Sequence, residues 1–408
     1  MSNDTQPEIR FPGFTEAWEQ RKFKDFTKIS QGLQIAISNR FLNEGENRLF
    51  YITNEFLNPS SSVKYYIENA PETVIANSDD ILMTRTGNTG KVVTNVHGAF
   101  HNNFFKIAYD KSKTNKLFLF YLLNSNYIQN EIRIGAGSST IPDLKHPNFY
   151  KINVNTTSLE EQTKIGNFFK SLDDTIALHQ RKLDLLKETK KGFLQKMFPK
   201  NGAKVPEIRF PGFTEDWEER KLGDMMDVTS VKRIHQSDWT NSGIRFLRAR
   251  DIVSAAKNEE PSDYLYISEE KYNEYSKISG KVSQEDLLVT GVGSIGVPLL
   301  ITDDNPIYFK DGNIIWFKNE HKIDGNFFYY SFINNKIQKY IRDVAGIGTV
   351  GTYTIDSGKK TPISLPTYDE QIKIGSFFKQ FDHTIMLHQH ELDLLKETKK
   401  GFLQKMFV

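Results

Sequence analysis

The chain of 408 residues contains no cysteine, so a disulfide framework, a thiolate metal site and a cysteine nucleophile are all excluded. It also has no run of about 18 apolar residues, the length that a membrane-spanning helix needs. The nearest candidate, Leu287–Ile301, is too short and is interrupted by three glycines and a proline. The N-terminal sequence MSNDTQPEIR lacks the charged and then apolar order of a secretory signal. We therefore expect a soluble cytoplasmic protein with no membrane partner.

The chain also has little net charge. Its formal charge is +2, with 14 Lys/Arg against 11 Asp/Glu in residues 23–157 and 17 against 19 in residues 222–366. Bulk charge therefore gives no argument for nucleic-acid binding. Any contact with nucleic acid must therefore come from local basic patches of this chain, or be made in part by partner subunits.

Motifs of common catalytic chemistry are absent as well. The stretch GNTGKV at Gly87–Val92 is too short for a phosphate-binding loop and has no Ser/Thr after its lysine. There is no HExxH zinc motif, no G-x-S-x-G nucleophile motif, and no Asn/Asp-Pro-Pro-aromatic motif of the adenine methyltransferases. His388 and His390 are two residues apart on a predicted helix and point to different faces. The Asp173–Asp174 pair is interpreted as a solvated helix face. We predict no catalytic residue and no metal site.

Two long stretches of the chain occur twice. PEIRFPGFTEAWEQRK at Pro7–Lys22 recurs as PEIRFPGFTEDWEERK at Pro206–Lys221, an offset of 199 residues. A stretch of 39 residues at Glu160–Phe198 recurs at Asp369–Phe407, an offset of 209, and its last sixteen residues, LDLLKETKKGFLQKMF, are identical in both copies. Repeats of this size indicate duplicated structural units, so the chain is predicted to be two similar halves in tandem. Each half contains a variable body of about 140 residues between the repeated stretches.

The longer repeated stretch has the features of a helix. Ser158 with Glu161, and Thr367 with Glu370, have the spacing of a capping box, in which a hydroxyl and a carboxylate each satisfy a free backbone amide. Apolar residues then alternate at intervals of four and three, which is typical of a coiled-coil seam. The seam positions are Ile165, Phe169, Leu172, Ile176, Leu183, Leu186, Ile374, Phe378, Phe381, Ile385, Leu392 and Leu395.

Two arrangements of these helices are compatible with the pattern. One is a single helix lying on its own body. The other, which we favour, is a coiled coil of the two helices within the chain, because two identical seams can pair with each other. The short connection after Phe198 and the pseudo-twofold relation of the halves favour antiparallel pairing. At 1.5 Å per residue, 39 residues span about 58 Å, which would hold the two bodies a fixed distance apart.

A few positions of the helices depart from the apolar pattern. Polar residues occupy four seam positions, where they are expected to control register rather than to add stability; these are His179, His388, Lys190 and Lys399. A glycine in each helix, Gly192 or Gly401, costs about 1 kcal/mol relative to alanine. The two glycines are predicted to mark either a bend or a place where another chain packs closely.

The variable bodies share one plan despite their different residues. Asp79–Val93 and Glu285–Leu299 each predict a buried strand, a glycine-containing turn and a second strand. Ile128–Ile141 and Ile337–Val350 each predict a short helix that leads into a loop. Strand-rich stretches with a few helices predict α+β bodies whose scaffold is kept while the exposed turns differ.

The predicted fold class is therefore α+β, with two α+β bodies in a tandem pseudo-twofold repeat, joined by two long antiparallel helices that form an intramolecular coiled coil. The predicted boundaries are 1–22 for the first repeat segment, 23–157 for the first body, 158–198 for the central helix, 199–221 for the linker and second repeat segment, 222–366 for the second body and 367–408 for the C-terminal helix. The first repeat segment is expected to lie near the end of the C-terminal helix.

This arrangement resembles the specificity subunit of type I restriction–modification systems. The resemblance rests on two variable bodies that alternate with two near-identical helices, opened by EEQTKIG or DEQIKIG after a loop such as INVNTTSL or ISLPTY. It covers essentially the whole chain, including the Phe-Pro-Gly-Phe segments before each body. It implies that each body is a target-recognition domain for one half of a bipartite, asymmetric DNA site, and that the helices set the spacer.

The resemblance also implies partners and cofactors. The partners are double-stranded DNA, two methyltransferase (modification) subunits that dock on the duplicated frame, and two restriction/translocase subunits. S-adenosylmethionine, ATP and Mg would belong to those subunits, while this chain would bind no cofactor and would be non-catalytic. Half-sites on one face of DNA lie about 34 Å apart, within reach of a helix pair of this length. The negative second body implies weak DNA binding by the isolated chain, with phosphate contacts supplied by docked partners.

Candidate DNA-contacting residues are polar or basic side chains near the glycine turns and strand ends. Arg and Lys can pair with guanine, Asn with adenine, and hydroxyls with phosphates. The candidates are Arg85, Thr86, Asn88, Lys91, Ser138, Ser139 and Thr140 in the first body, and Lys232, Arg233, Arg248, Arg250, Ser294 and Lys310 in the second. Arg248 and Arg250 lie in Arg245–Ser254, which aligns with Leu49–Asn58 and is predicted as a strand. The alternatives are ordinary turn chemistry for the glycine-turn residues and a salt-bridged surface for the two arginines.

Two rival hypotheses come from other classes of protein. The chain could be a scaffold that gathers two copies of one protein without binding DNA. It could also be a self-sufficient nuclease. Co-purification with a methyltransferase and DNA selection test the first, and incubation with DNA and a divalent metal tests the second.

Overall fold

A computed structural model of the chain describes residues 6–200, 202–346 and 351–407. The ends of the first and last predicted ranges, part of the linker and the loop of the second body at 347–350 lie outside the described residues. The chain divides into two compact units. One comprises the residues up to Gln180 and those from His390 onward, and the other comprises Arg181–Gln389.

The described residues of the first unit form ten strands, four short helices, the beginning of one long helix and the end of the other. In chain order these are β1 (Glu19–Lys22), α1 (Phe23–Phe26), β2 (Thr27–Gln31), β3 (Arg48–Ile52), β4 (Tyr65–Glu68), β5 (Ile75–Ala76), β6 (Ile81–Thr84), β7 (Val92–Thr94), β8 (Gly98–Phe100), β9 (Phe104–Tyr109), α2 (Lys116–Leu123), α3 (Asn126–Ala136), α4 (His146–Lys151), β10 (Asn153–Thr156) and α5 (Leu159–Lys196). Short 3-10 turns occur at Ile37–Asn39, Asn54–Leu57 and Glu72–Val74.

Two four-stranded sheets form the first body. One is antiparallel throughout, in the order β2-β9-β6-β7, and the other has the order β4-β3-β8-β5 with a parallel β3–β8 pair. All four residues of β6 are buried, as the apolar run Ile81–Met83 predicts for a strand covered on both faces. A separate antiparallel pair, β1 with β10, joins the first repeat segment to the strand that precedes α5.

The second unit follows a similar order, with one additional short strand and with two longer helices where the first body has 3-10 turns. Its elements are β11 (Glu218–Lys221), α6 (Leu222–Met225), β12 (Asp227–Thr229), β13 (Trp239–Thr240), β14 (Ile244–Leu247), α7 (Ala249–Ala256), β15 (Leu265–Ile267), α8 (Glu269–Ser279), β16 (Leu287–Thr290), β17 (Pro298–Leu300), β18 (Ile307–Phe309), β19 (Ile314–Lys318), α9 (Gly325–Ile333), α10 (Asn335–Ala345), α11 (Ile355–Lys360), β20 (Pro362–Leu365) and α12 (Tyr368–Lys405). The sheets are β12-β19-β16-β17, β13-β15-β14-β18 and β11-β20. An eleven-residue helix, α8, lies between β15 and β16, where the first body has the turn Glu72–Val74 and β5.

The α+β class and the duplicated plan are thus confirmed. The strand–turn–strand pattern appears as β6 and β7 in the first body and as β16 and β17 in the second. The predicted helix-to-loop segment of the first body is α3, which ends at Gly137 with a φ of 81°. Its counterpart α10 ends at Gly346 with a φ of 79°, and the loop that follows it lies partly outside the described residues.

The two long helices run antiparallel within each unit, as predicted. In the first unit, the rings of Phe168 on α5 and Phe402 on α12 have centroids 5.0 Å apart. Five residues further along α5, Asp173 pairs with Lys399, which lies three residues earlier on α12. Contacts that advance along one helix and recede along the other show opposite directions. In the second unit, Phe193 contacts Phe377 and Lys190 pairs with Asp382 in the same manner.

Each predicted seam position is buried or half-buried. The seam residues near the start of each helix also pack on a body. Phe169 lies between Tyr121 of α2 and Phe407, with ring centroids 5.0 Å and 5.8 Å away. The neighbouring Phe168, outside the predicted seam, makes the contact with Phe402 described above. The start of the helix therefore combines the two arrangements considered from the sequence. It packs on its own body and it also pairs with the other helix.

Two smaller predictions about these helices were wrong in part. The Ser158 hydroxyl accepts from the Glu161 amide at 3.4 Å, as the capping box requires. The Glu161 carboxylate, however, binds Arg10 and the Thr157 hydroxyl instead of completing that box. Asp173 is also not a solvated residue: it accepts from the Tyr121 hydroxyl at 2.7 Å and pairs with Lys399. The carboxylates were assigned by local spacing, whereas Arg10, Tyr121 and Lys399 come from distant parts of the chain.

The repeat segments are held at the helix ends. The Ile9 amide donates to the Lys405 carbonyl at 3.1 Å in the first unit, and the Ile208 amide donates to the Lys196 carbonyl at 3.0 Å in the second. The first repeat segment thus lies beside the end of α12, as expected from the sequence. Trp18 and Trp217 of these segments are buried in the cores of their units.

Candidate nucleic-acid interface

The glycine turn between β6 and β7 is built around one threonine. The Thr84 hydroxyl donates to the Asn88 carbonyl at 2.6 Å and accepts from the Lys91 amide at 2.9 Å. Gly87 and Asn88 have φ values of 61° and 57°, a left-handed conformation that glycine and asparagine tolerate best. The turn therefore presents the side chains around Asn88 at the end of the sheet, where Asn88 and Lys91 are exposed.

The second body builds the same turn with different side chains. The Thr290 hydroxyl donates to the Ser294 carbonyl and accepts from the Val297 amide at 2.9 Å. The position of Arg85 is taken by Gly291, where an added Cβ would meet the Tyr353 carbonyl oxygen at 2.7 Å. One scaffold therefore carries a basic and amide-bearing turn in the first body and a nearly apolar turn in the second.

Arg85 fastens the glycine turn of the first body to the loop after α3. Its Nη2 lies 2.6 Å from an oxygen of Asp143, and the side chain is only 17% exposed. The Leu144 amide also donates to the Arg85 carbonyl at 2.8 Å, and the Thr89 hydroxyl donates to the Pro142 carbonyl at 2.8 Å. Arg85 is thus engaged within the body, and its role in this geometry is to hold two loops together.

The loop held by Arg85 brings further candidates to the same end of the sheet. Ser138, Ser139 and Thr140 are all exposed, and the Ser139 hydroxyl donates to the Ile141 carbonyl at 2.8 Å. The Thr86 carbonyl accepts from Asn54 at 3.2 Å. The structure therefore brings the two sequence-predicted groups of the first body onto one surface.

Arg248 and Arg250 do not lie on a strand, so that prediction was wrong. Arg248 is the N-cap of α7 and Arg250 lies in its first turn. The helix begins here because the Asp251 carboxylate accepts from the Arg248 amide at 2.7 Å, and an acceptor three residues after the cap satisfies a free backbone amide. The strand β14 ends one residue earlier, at Leu247.

Both arginines are engaged by acidic residues. Arg248 lies 3.0 Å from Asp251 and 2.9 Å from Asp263, with its side chain 14% exposed. Arg250 lies 2.5 Å from Asp263. The Arg248 guanidinium, followed by Ser262, keeps the pKa of Asp263 below its usual range. The salt-bridged alternative therefore describes the surroundings of both arginines.

The remaining candidates of the second body are more accessible. Lys232 is exposed and its ammonium lies 4.5 Å from the centre of the Tyr275 ring. Arg233 pairs with Asp311 at 2.8 Å while its side chain stays 68% exposed. Lys310 directly follows β18, and its amide donates to the Leu247 carbonyl at 2.8 Å. Ser294 is exposed in the glycine turn.

Backbone hydrogen bonds place these segments at one end of the antiparallel sheet in each body. In the second body, the Gly291 amide donates to the Asn313 carbonyl and the Tyr353 amide donates to the Gly291 carbonyl, both at 2.8 Å. In the first body, the Arg85 amide donates to the Asn103 carbonyl at 2.7 Å. We call this end of each body, with its glycine turn and the turn before β9 or β19, the candidate interface.

Two amide side chains at the candidate interface were missed from the sequence. Asn102 lies in the turn between β8 and β9, and its amide nitrogen donates to the Gln34 side-chain oxygen at 3.0 Å. Gln34 is exposed. The sequence HNN at His101–Asn103 marks a turn, but nothing in it indicates that Gln34, 68 positions earlier, lies beside Asn102.

Comparison with known proteins identifies the class. The family model described as "Type I restriction modification DNA specificity domain" matches residues 15–188 and again residues 214–397. The chain therefore belongs to the family of type I restriction–modification specificity subunits and contains two tandem recognition domains. Across 6–200, 202–346 and 351–407, no helix has both the length and the apolar character needed to cross a membrane.

Relatives of this class span most of the chain. The type I restriction enzyme MjaVIII specificity subunit of Methanocaldococcus jannaschii is 26% identical over 409 residues, covering 95% of this chain and 91% of that protein. A putative type I restriction enzyme specificity subunit of Haemophilus influenzae, S.HindORF215P, is 29% identical over 286 residues, covering 69% and 68%.

Solved structures show the same fold. The S subunit of the type I restriction–modification system from M. genitalium superposes with a TM-score of 0.61 at 14% identity, covering 99% of both chains. A chain from a study of complex assembly and conformational transition of the type I R-M system gives a TM-score of 0.56 at 16% identity, covering 98% of both.

Proposed function

We propose that this chain is the DNA sequence-recognition subunit of a type I restriction–modification complex, in which each body recognises one half of a bipartite, asymmetric site. The observation that carries the proposal is the pair of glycine turns with the same threonine-centred hydrogen bonds and different side chains. A conserved scaffold with divergent exposed loops is the arrangement expected of two readers with different targets.

The helix pair is proposed to set the spacer between the two half-sites. In support, α5 and α12 each contribute to both units, and their antiparallel contacts repeat residue for residue: Phe168 with Phe402 corresponds to Phe377 with Phe193. A helix of 38 residues spans about 57 Å, compared with about 34 Å for one turn of DNA.

The spacer proposal is tested by charging the seam. Leu183 and Leu392 are 1% and 0% exposed, so Leu183→Asp with Leu392→Asp buries two carboxylates and should abolish the fixed spacing of the methylated motif. The matched control is Leu185→Asp with Leu394→Asp, because these leucines are 63% and 60% exposed. An unchanged spacer preference in the seam variant, at normal protein level, would contradict the helix-ruler proposal.

The duplicated frame is further proposed to dock two methyltransferase subunits and, through them, two restriction/translocase subunits. The chain itself is proposed to be non-catalytic and to bind no cofactor, with S-adenosylmethionine, ATP and Mg held by those partners. The identical LDLLKETKKGFLQKMF segments support two equivalent docking surfaces, since identical surfaces can seat two copies of one protein.

If the docked subunits supply part of the contacts with DNA, the isolated chain should bind DNA weakly. Three of the basic candidates, Arg85, Arg248 and Arg250, are already paired with carboxylates of the chain itself. Titration of labelled DNA with the chain, with and without the modification subunits, should show tight site-specific binding only in the complex. A tight, salt-insensitive and sequence-specific complex of the lone chain would overturn this part, and cleavage by the lone chain with Mg²⁺ would favour the nuclease alternative.

A further inference from the structure

Each body places a matched pair of side chains at the same position of its candidate interface. In the first body, the turn after β8 is fixed by the His101 amide, which donates to the Ile52 carbonyl at 2.9 Å. In the second body, the turn after β18 is fixed by the Lys310 amide, which donates to the Leu247 carbonyl at 2.8 Å. The next residue of each turn, Asn102 or Asp311, is therefore equivalently placed.

Each of these turn residues binds a side chain from the segment that follows the first strand of the antiparallel sheet. Asn102 donates to Gln34, three residues after β2, at 3.0 Å. Asp311 accepts from the Nε of Arg233, four residues after β12, at 2.8 Å. Two further hydrogen bonds hold the Asn102 turn, since its carbonyl accepts from Gln31 at 3.1 Å and its amide donates to the Leu33 carbonyl at 3.2 Å.

The exposed member of each pair, Gln34 or Arg233, is called the outer residue, and its partner in the turn, Asn102 or Asp311, the inner residue. Each outer residue keeps hydrogen-bonding groups that can recognise the edge of a base. Gln34 is exposed, and its oxygen accepts from Asn102 with one of two lone pairs, so a second lone pair and the amide N–H groups remain for a ligand. Arg233 is 68% exposed and binds Asp311 through Nε, so the two terminal nitrogens remain available. A glutamine amide matches the major-groove edge of adenine, and a guanidinium fork matches that of guanine.

We propose that Gln34 and Arg233 are base-recognising residues of the two half-sites, and that Asn102 and Asp311 position them. This inference rests on the proposed function and deepens it: Gln34 selects adenine at one position of the first half-site, and Arg233 selects guanine at one position of the second. The inner residue restricts the rotamer of the outer one, which lowers the entropy lost when a base is bound. The first body has a neutral pair and the second body an ion pair on equivalent turns of the backbone. The two bodies would therefore prefer different bases at this position.

The proposal predicts that the pair can be transplanted. The variant Gln34→Arg with Asn102→Asp places the ion pair of the second body in the first. The complete chain is produced with its modification subunits, and methylated adenines are mapped across genomic DNA. Methylation at the original sites should fall by about tenfold or more, and one A·T position of the first half-site should change to G·C while the second half-site and the spacer stay the same.

The reciprocal variant, Arg233→Gln with Asp311→Asn, should alter only the second half-site.

Asn47→Asp is the control for the first body, since Asn47 is exposed and directly precedes β3. The candidate interface lies beyond Ile52, at the other end of that strand. The control should leave the motif unchanged. If the transplanted pair prevents assembly, Gln34→Ala, which removes an exposed amide, should relax one position of the first half-site.

The outcomes separate this inference from the proposed function. An unchanged motif in both the transplanted variant and Gln34→Ala would overturn the inference while leaving bipartite recognition intact. A change confined to the expected half-site in each variant supports it. Absence of any bipartite motif with the unaltered chain would instead contradict the proposed function itself.

Discussion

Arg10 and Glu161 lie 151 residues apart in sequence, and their side chains form a two-point ion pair, with Nε–Oε1 and Nη2–Oε2 distances of 2.6 Å and 2.8 Å. Arg209 and Glu370 form the same pair in the second unit, at 2.7 Å and 2.8 Å. Both carboxylates are fully buried. Each pair joins a repeat segment to the first turn of a long helix.

The first prediction concerns this ion pair. Replacing a buried charge by a neutral group leaves its partner uncompensated, so Glu161→Gln should lower the free energy of unfolding by about 2–4 kcal/mol. The measurement is chemical denaturation of the complete chain. Glu160→Gln is the control, because Glu160 is exposed and pairs only loosely with Lys164 at 3.5 Å, and its change should stay within about 0.5 kcal/mol. Equal effects of the two substitutions would be inconsistent with a structural role for the pair.

The second prediction compares two glycines of α5. A Cβ at Gly166 would lie 2.7 Å from Leu117 Cβ and 2.9 Å from the Phe118 amide, so Gly166→Ala should destabilise the first unit by about 1–3 kcal/mol through overpacking. Among the described residues outside the adjoining helix backbone, no atom lies within 4 Å of a Cβ added at Gly192. Gly192→Ala should therefore stabilise the chain by up to about 1 kcal/mol, the difference in helix propensity.

The sequence predicts that Gly192 marks either a bend or a place where another chain packs closely, and the same variant tests the second possibility. If another chain packs against this glycine, Gly192→Ala should weaken binding of the modification subunits even though the isolated chain becomes more stable. Thermal denaturation and a binding titration on the same variant check both effects. Unchanged affinity would leave no role for close packing at this position.

The third prediction concerns the link between α12 and the first body. Lys399 lies 2.5 Å from Asp173, which accepts from Tyr121 at 2.7 Å. Since these side chains are partly exposed, Lys399→Gln should cost only about 1 kcal/mol, and a double-mutant cycle with Asp173→Asn should show coupling. Lys400→Gln, at an exposed neighbour, should be close to neutral. Additive effects in the cycle would show that the ion pair contributes nothing to stability.

The fourth prediction concerns acid sensitivity of the turn that carries Asn102. Burial, followed by the charge of Arg40, lowers the pKa of His101, and its Nδ1 accepts from the Asn103 amide at 3.1 Å. Well above pH 6.5, the ordinary pKa of histidine, the imidazole is neutral in both the folded and the unfolded state. As the pH falls below that value the unfolded chain binds the proton first, so stability is lost.

Denaturation at pH 7.5 and pH 5.5 checks this effect. His101→Gln should cost stability at pH 7.5, because the hydrogen bond to Asn103 is disturbed, and should show a smaller loss on acidification than the unaltered chain. Identical acid sensitivity of both proteins would exclude His101 as a contributor.

Much of the frame could be predicted because its determinants are local. The four-and-three spacing of apolar residues and the duplicated stretches led to α5 and α12, and the glycine turns were found from the apolar runs on both sides of them. The strand proposed for Arg248 and Arg250 failed because Asp251 starts a helix there. The apolar residues of β14 end just before that point.

The residues of the candidate interface could be predicted from the sequence only in part. Side-chain pairs such as Arg85 with Asp143 and Gln34 with Asn102 join segments that are 58 and 68 residues apart in the chain. Composition identifies a basic or amide side chain but does not show whether a distant carboxylate already engages it. The predicted DNA contacts therefore remain predictions, and the structure separates the exposed ones, such as Asn88 and Lys91, from those that hold loops together.

The most direct test of the central claim is a map of methylated adenines in cells that contain the modification subunits, with and without this chain. We expect one bipartite, asymmetric motif with a fixed spacer, present only with the chain. When residues 23–157 are replaced by the first body of another specificity subunit, we expect the motif to change in one half alone. Methylation that is independent of the chain, or a motif that changes in both halves together, would contradict the central claim.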